Sequence, residues 1–177
     1  MVKPMRDIFL IGPKHSGKTS AGKALARLCS CDFIDIDELI LQRTGKSPRQ
    51  LFNEGQAIFQ KAEAEAVTAL TANAGEKQRV IASGGGIIDN AEAITILKKF
   101  DAAKVYLDIS AESAWNRIAA DRELPPFLQT ENPRETHRVL HERRTAAYLQ
   151  FADIVLEAEG KTPDEIAGEI LSRSTGD

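Results

Sequence analysis

Cysteine is scarce: Cys29 and Cys31 are the only two in 177 residues. One residue separates them, a spacing that suits neither a usual metal pair nor a routine disulfide. A disulfide-stapled secreted scaffold is excluded, and two buried structural thiols in a reducing, cytoplasmic setting are expected. No apolar run approaches the length of a membrane span, so no membrane partner is expected. Met1-Val2-Lys3-Pro4-Met5-Arg6 leads straight into the first strand pattern and leaves no room for a signal peptide. Excess positive charge is missing too. The net charge is −3, which argues against a nucleic-acid partner. Internal repeats, low-complexity tracts and domain linkers are absent, so residues 1–177 read as one domain. Its 42% hydrophobic and 28% charged residues are the composition of a soluble globular protein. No Asn-Lys-x-Asp occurs, which argues against a guanine-nucleotide switch.

What is present begins with Gly12-Pro13-Lys14-His15-Ser16-Gly17-Lys18-Thr19, a complete G-x-x-x-x-G-K-[ST]. Backbone N–H groups of such a loop cradle phosphate oxygens. Gly12 and Gly17 permit turn dihedrals and close approach. The Lys18 ammonium suits the β- and γ-phosphates, and the Thr19 hydroxyl suits Mg²⁺. The context agrees: Asp7-Ile8-Phe9-Leu10-Ile11 precedes as a buried-strand pattern, and Thr19 to Leu28 follows at helical spacing.

Strand and helix patterns then alternate. Strands are expected at Ile8 to Ile11, Phe33 to Ile36, Arg79 to Ala82, Lys104 to Asp108 and Asp153 to Leu156. Helices are expected over Gly55 to Asn73, Asn90 to Phe100, Ala111 to Asp121, Pro133 to Tyr148 and Pro163 to Arg173. Thr162, Pro163 and Glu165 form a helix-start signature. The expected fold is a three-layer α/β/α P-loop domain with a central five-stranded parallel sheet. Ligands of such folds sit beyond the C-terminal strand ends, where each motif falls. Glu123 to Pro133 contains three prolines and reads as a lid over roughly 121–133.

Three constellations carry further chemistry. Asp35-Ile36-Asp37 ends a strand, and period-two spacing puts both carboxylates on one side with Ile36 in the core. Mg²⁺ and an acceptor hydroxyl would satisfy that acid pair; Asp37 ahead of Glu38 also suits a helix N-cap. Ser83-Gly84-Gly85-Gly86 lets a substrate approach the backbone closely. Arg143-Arg144 offers a fork for a substrate carboxylate, or a solvated charge pair. His137 and His141 stand four apart on a helix, but the glutamate of the zinc-protease motif and a third ligand are missing, so a solvated face is expected. Trp115 reads as core or edge packing.

Together these elements resemble the shikimate kinase family, small P-loop kinases of the nucleoside-monophosphate-kinase type. The resemblance spans nearly the whole chain. It rests on the P-loop, on Phe33-Ile34-Asp35-Ile36-Asp37, Arg43-Thr44-Gly45-Lys46-Ser47 and Phe52-Asn53-Glu54-Gly55, on Phe59 with Glu63, on the three glycines, and on Arg144 four residues before Tyr148. It implies ATP and Mg²⁺ as cofactors. Residues Gly12 to Ser20 would bind the nucleotide, Thr19 and Asp35 the metal, and Arg117 would lie near the adenine or the phosphates. Asp37 would orient or deprotonate the attacking hydroxyl. Gly84, Gly85, Gly86 and Arg144 would hold the acceptor, together with residue 60. The implied activity is transfer of a phosphoryl group from ATP to shikimate by a monomer.

The chain departs from the family pattern at four places. Gln60 stands where the family has a carboxylate-gripping arginine. The lid reads Leu124-Pro125-Pro126-Phe127-Leu128 without its arginine, Arg122 being close by. His15 replaces a P-loop glycine, and Ala146 replaces a proline. These motivate two alternatives: a kinase for another polyol or gluconate-like acid, or a nucleotide-binding module without turnover.

Overall fold

The computed structural model describes residues 6–73 and 77–175. The leading residues 1–5, on which the reading of the N-terminus rests, lie outside the described residues. Five strands, β1 (Asp7–Ile11), β2 (Asp32–Asp35), β3 (Arg79–Ala82), β4 (Ala102–Asp108) and β5 (Ile154–Glu157), form one sheet in the order β2-β3-β1-β4-β5. Every pairing is parallel. The helices are α1 (Lys18–Cys29), α2 (Ile36–Thr44), α3 (Pro48–Glu54), α4 (Gln56–Ala72), α5 (Ala91–Lys99), α6 (Ala111–Ala119), α7 (Pro133–Phe151) and α8 (Pro163–Thr175).

The three layers follow from side-chain alternation in a strand buried on both faces. In β1, Ile8 and Leu10 join a core with Ala21, Ala24 and Leu25 of α1 and Ile166, Ala167 and Ile170 of α8. Phe9 and Ile11 point the other way, into a core with Ile36 and Ile40 of α2, Val67 and Leu70 of α4, Leu97 of α5 and Tyr148 of α7. The bottom of the sheet is tied by a buried pair: Asp7 accepts from the Arg79 amide at 2.7 Å and from its Nε at 3.0 Å. Among the described residues, no helix is long and apolar enough to cross a membrane.

Element boundaries move where side chains cap. β2 stops at Asp35, not Ile36, because the Asp35 carboxylate accepts the Asp37 amide and starts α2. Asp35 and Asp37 are therefore a cap and a first-turn residue, not a strand pair. Ile36 is fully buried, as expected. Ser47 and Gln50 form a capping box that opens α3 after Gly45 ends α2 at φ +72°. Glu165 closes the expected box on Thr162, accepting its amide at 2.7 Å.

Candidate active site

The loop between β1 and α1 needs its glycines. At Gly12 φ is +144°, and a Cβ there would stand 2.6 Å from the Leu107 carbonyl oxygen. Gly17 heads α1 at φ +93° with no side-chain cap, so the first-turn amides are left for an anion. Lys18 is folded back into this loop, its Nζ donating to the carbonyls of Gly12 at 2.8 Å and Pro13 at 2.7 Å. Burial lowers its pKa to about 8, while the charges of Asp37 and Asp35 oppose the shift.

A cleft of about 550 Å³ opens over this loop, lined by Lys14 to Ser20 together with Asp35, Asp37, Gly84, Gly85 and Arg117. Arg117 is set beside the loop by a 2.6 Å hydrogen bond from its Nη1 to the His15 carbonyl. Thr19 Oγ1 donates to Asp35 Oδ2 at 3.0 Å.

A second, smaller cleft of about 250 Å³ adjoins the first. Its walls are Pro48, Arg49 and Phe52 of α3, Phe59 of α4, the three glycines, Pro125 to Phe127, and Arg144 of α7. Lys14, Asp37, Gly84 and Gly85 line both clefts. Asp37 is open to solvent through them, yet the walls desolvate it. That desolvation, followed by the Asp35 charge, raises its carboxyl to about 6 against the pull of Lys18 and Lys14. Gly85 touches the P-loop so closely that a Cβ would sit 2.9 Å from the Lys14 amide nitrogen. Tyr148 fixes this turn from behind by donating to the Gly85 carbonyl.

Arg144 is largely buried, not half of a solvated pair. Its Nε donates to Asp89 Oδ2 at 2.8 Å, and its guanidinium lies 5.5 Å from the Phe127 ring centroid. Arg143, more exposed, holds the same carboxylate at 2.7 and 3.1 Å. Burial would raise Asp89, but the two arginines outweigh it and hold the carboxyl low. Gln60, expected at the acceptor, is on the wall of neither cleft; its backbone carbonyl accepts from Asn90 Nδ2 at 2.8 Å. Arg122 is exposed.

Sequence reasoning assigned no role to Glu63, Asp89, Asp121 or Arg49. Glu63 lies behind the glycines, fully buried; Oε2 accepts from Asn90 at 2.9 Å, and Oε1 has no hydrogen-bond partner. Burial raises its carboxyl to about 7, with the Asn90 bond opposing and the Asp37 charge adding. Asp121, where the proline-rich stretch begins, takes the Lys14 ammonium and, at 2.8 Å, His15 Nε2. Arg49 holds that stretch by an ion pair to Glu123 and a 2.9 Å bond to the Leu124 carbonyl. An acid at the end of a helix leading to a lid is a weak signal for Asp121; Asp89 offered none.

Two other expectations are corrected. His137 is buried, not on a solvated face, because its ring packs at a tilt against those of Trp115 and His141, with centroids 5.6 Å away in both cases. Trp115 is edge packing, as expected. Cys29 and Cys31 are free and only half-buried, because α1 ends there and turns toward β2 at the margin of the core.

A Walker-type loop that shares a wall with an acidic, glycine-lined second cleft fits a P-loop kinase for a small molecule. The family model for shikimate kinase matches residues 14–175. Shikimate kinases from Thermodesulfovibrio yellowstonii and Actinobacillus pleuropneumoniae serotype 5b are similar, at 36% and 35% identity over 94% of this chain and 94% of theirs. The solved structure of shikimate kinase from Acinetobacter baumannii in complex with shikimate superposes with a TM-score of 0.86, at 32% identity over 96% of this chain and 92% of that one. The chain belongs to the shikimate kinase family. It is a phosphotransferase that takes ATP as co-substrate and an alcohol group as acceptor.

Proposed function

We propose that this chain phosphorylates shikimate with ATP, as one soluble cytoplasmic domain spanning residues 1–177 with a lid at 121–133. The observation that carries this reading is the shared wall: Asp37, Gly84 and Gly85 face the nucleotide cleft and the acceptor cleft at once. A hydroxyl and a terminal phosphate held on either side of that wall are brought within attacking reach of each other. A single chain completes both clefts, which supports a monomeric working unit.

In this reading the loop amides and Lys18 hold the triphosphate, and Arg117 flanks it. Thr19 Oγ1 and the Asp35 carboxylate are hard oxygen donors 3.0 Å apart, a donor set that fits Mg²⁺ with water and phosphate oxygens filling the rest. Thr19 would hold the ion directly and Asp35 through water; when bound, it supplies positive charge beside the β- and γ-phosphates. Asp37 accepts the proton of the acceptor hydroxyl as that oxygen bonds to the γ-phosphorus. The bond from phosphorus to the β,γ-bridging oxygen breaks, and ADP departs with its electron pair. Arg144, preset by Asp89, pairs with the acceptor carboxylate. The proline-rich stretch, held by Arg49, excludes water from the transfer.

The test is a coupled ADP-release assay. Shikimate-dependent turnover with a micromolar-to-millimolar KM is expected, and Lys18→Met and Asp37→Ala should each lose about 10²-fold or more in kcat. Turnover of a gluconate-like acid in place of shikimate would replace the acceptor. ATP binding without turnover of any hydroxy acid would leave a nucleotide-binding module.

A further inference from the structure

Two of the four residues common to both clefts are glycines. The residues with ionisable side chains that line both are therefore one acid, Asp37, and one base, Lys14. No other cation lines both clefts among the described residues. Lys18 is buried and bonded to the loop carbonyls. Arg117 lines the nucleotide cleft only, and Arg144 the acceptor cleft only. The Lys14 backbone is pressed against Gly85, so the root of the side chain is pinned at the partition. Its ammonium pairs with Asp121, at the start of the lid stretch, and its side chain is 41% exposed. A half-exposed lysine on a four-carbon stem can leave a carboxylate for a more strongly charged partner. Asp37, across the partition, already feels its charge.

A phosphoryl group in transfer spreads negative charge over its equatorial oxygens, and a group crossing between the clefts passes the wall where, among the described residues, Lys14 and Asp37 are the ionisable residues common to both. We propose that the Lys14 side chain is a catalytic residue: its ammonium moves from Asp121 onto the phosphoryl oxygens as the group crosses from nucleotide to acceptor. This deepens the kinase reading and rests on it. It assigns the transfer charge to a non-invariant position inside the P-loop, in a chain whose lid carries no arginine between Leu124 and Leu128.

The experiment compares wild type, Lys14→Met, Lys14→Gln and Lys14→Arg by two readouts. The first is shikimate-dependent kcat. The second needs no acceptor: affinity for ADP alone and for ADP with aluminium fluoride, a mimic of the phosphoryl group in flight, both with magnesium. Lys14→Met and Lys14→Gln should lose about 10²-fold in kcat and about 10²-fold in ADP–aluminium fluoride affinity, with ADP affinity held within about threefold. Lys14→Arg should stay within about tenfold of wild type on both. Neutral variants within threefold of wild type on both readouts would overturn the proposal and leave the kinase reading standing. An equal loss for ADP alone would also overturn it, making Lys14 a ground-state contact. Loss confined to the fluoride complex, in a protein that does not turn over shikimate, would uphold Lys14 and defeat the acceptor assignment.

Discussion

Thr19 and Asp35 meet on the floor of the nucleotide cleft, Oγ1 donating to Oδ2 at 3.0 Å, while the other oxygen of Asp35 receives the Asp37 amide at the same distance. One carboxylate thus joins the start of α1 to the start of α2. Its two duties are separable. Asn caps a helix as well as Asp does but holds a metal poorly. Asp35→Asn should lose about 10²-fold in kcat with a melting temperature near wild type, whereas Asp35→Ala should in addition lose about 1 kcal/mol of stability. Paired denaturation curves and magnesium titrations of the rate check both.

In the proposed roles, Asp37 at the shared wall and Lys18 in the P-loop set a bell-shaped profile. Asp37 accepts a proton only when ionised, and its carboxyl is raised to about 6, so kcat/KM for the acceptor should fall as pH drops through that value. Lys18 holds phosphate only when charged, and its pKa is lowered to about 8, so the rate should fall again above it. Rate measurements across this range at fixed ionic strength test both limbs, and Asp37→Asn should abolish the acidic one.

Glu63 predicts a pH-dependent stability of the opposite sense to a salt-bridged acid. Its carboxyl is raised from 4.5 to about 7, so the folded state keeps a proton that the unfolded chain has released. Its contribution is most favourable at low pH and is lost as pH rises through about 7. Glu63→Gln should match wild type near pH 5 and exceed it near pH 8 by on the order of 1–3 kcal/mol. Denaturant midpoints at the two pH values decide it.

Arg144 is preset by Asp89 and by the Phe127 ring, so its fork is fixed before an acceptor arrives. Arg144→Lys keeps the charge and loses that planar geometry. The KM for shikimate should rise about tenfold to a hundredfold, with ADP affinity unchanged by calorimetry.

Much of this was legible in the chain because parallel strands buried on both faces read as short apolar runs. Ile8 to Ile11 and Val80 to Ala82 are such runs, and the P-loop and the Thr162 box are local motifs whose chemistry lies within a few residues. The start of α2 was not legible, since two acids two residues apart satisfy a strand end and a cap equally until the Asp37 amide is placed. His137 was misread because helical spacing gives a face but not its neighbour; Trp115, on α6, buries it. The pairings Asp89 with Arg144 and Asp121 with Lys14 join residues 55 and 107 positions apart, and no local pattern encodes them.

Gly85 leaves no space for even a methyl group before the Lys14 amide, so main chain meets main chain at the divider between the two chambers. It cannot be reshaped for one substrate without disturbing the other. A change of acceptor preference is thereby confined to the opposite bank, to Arg49, Phe52, Phe59 and the neighbouring prolines, which border the smaller chamber alone.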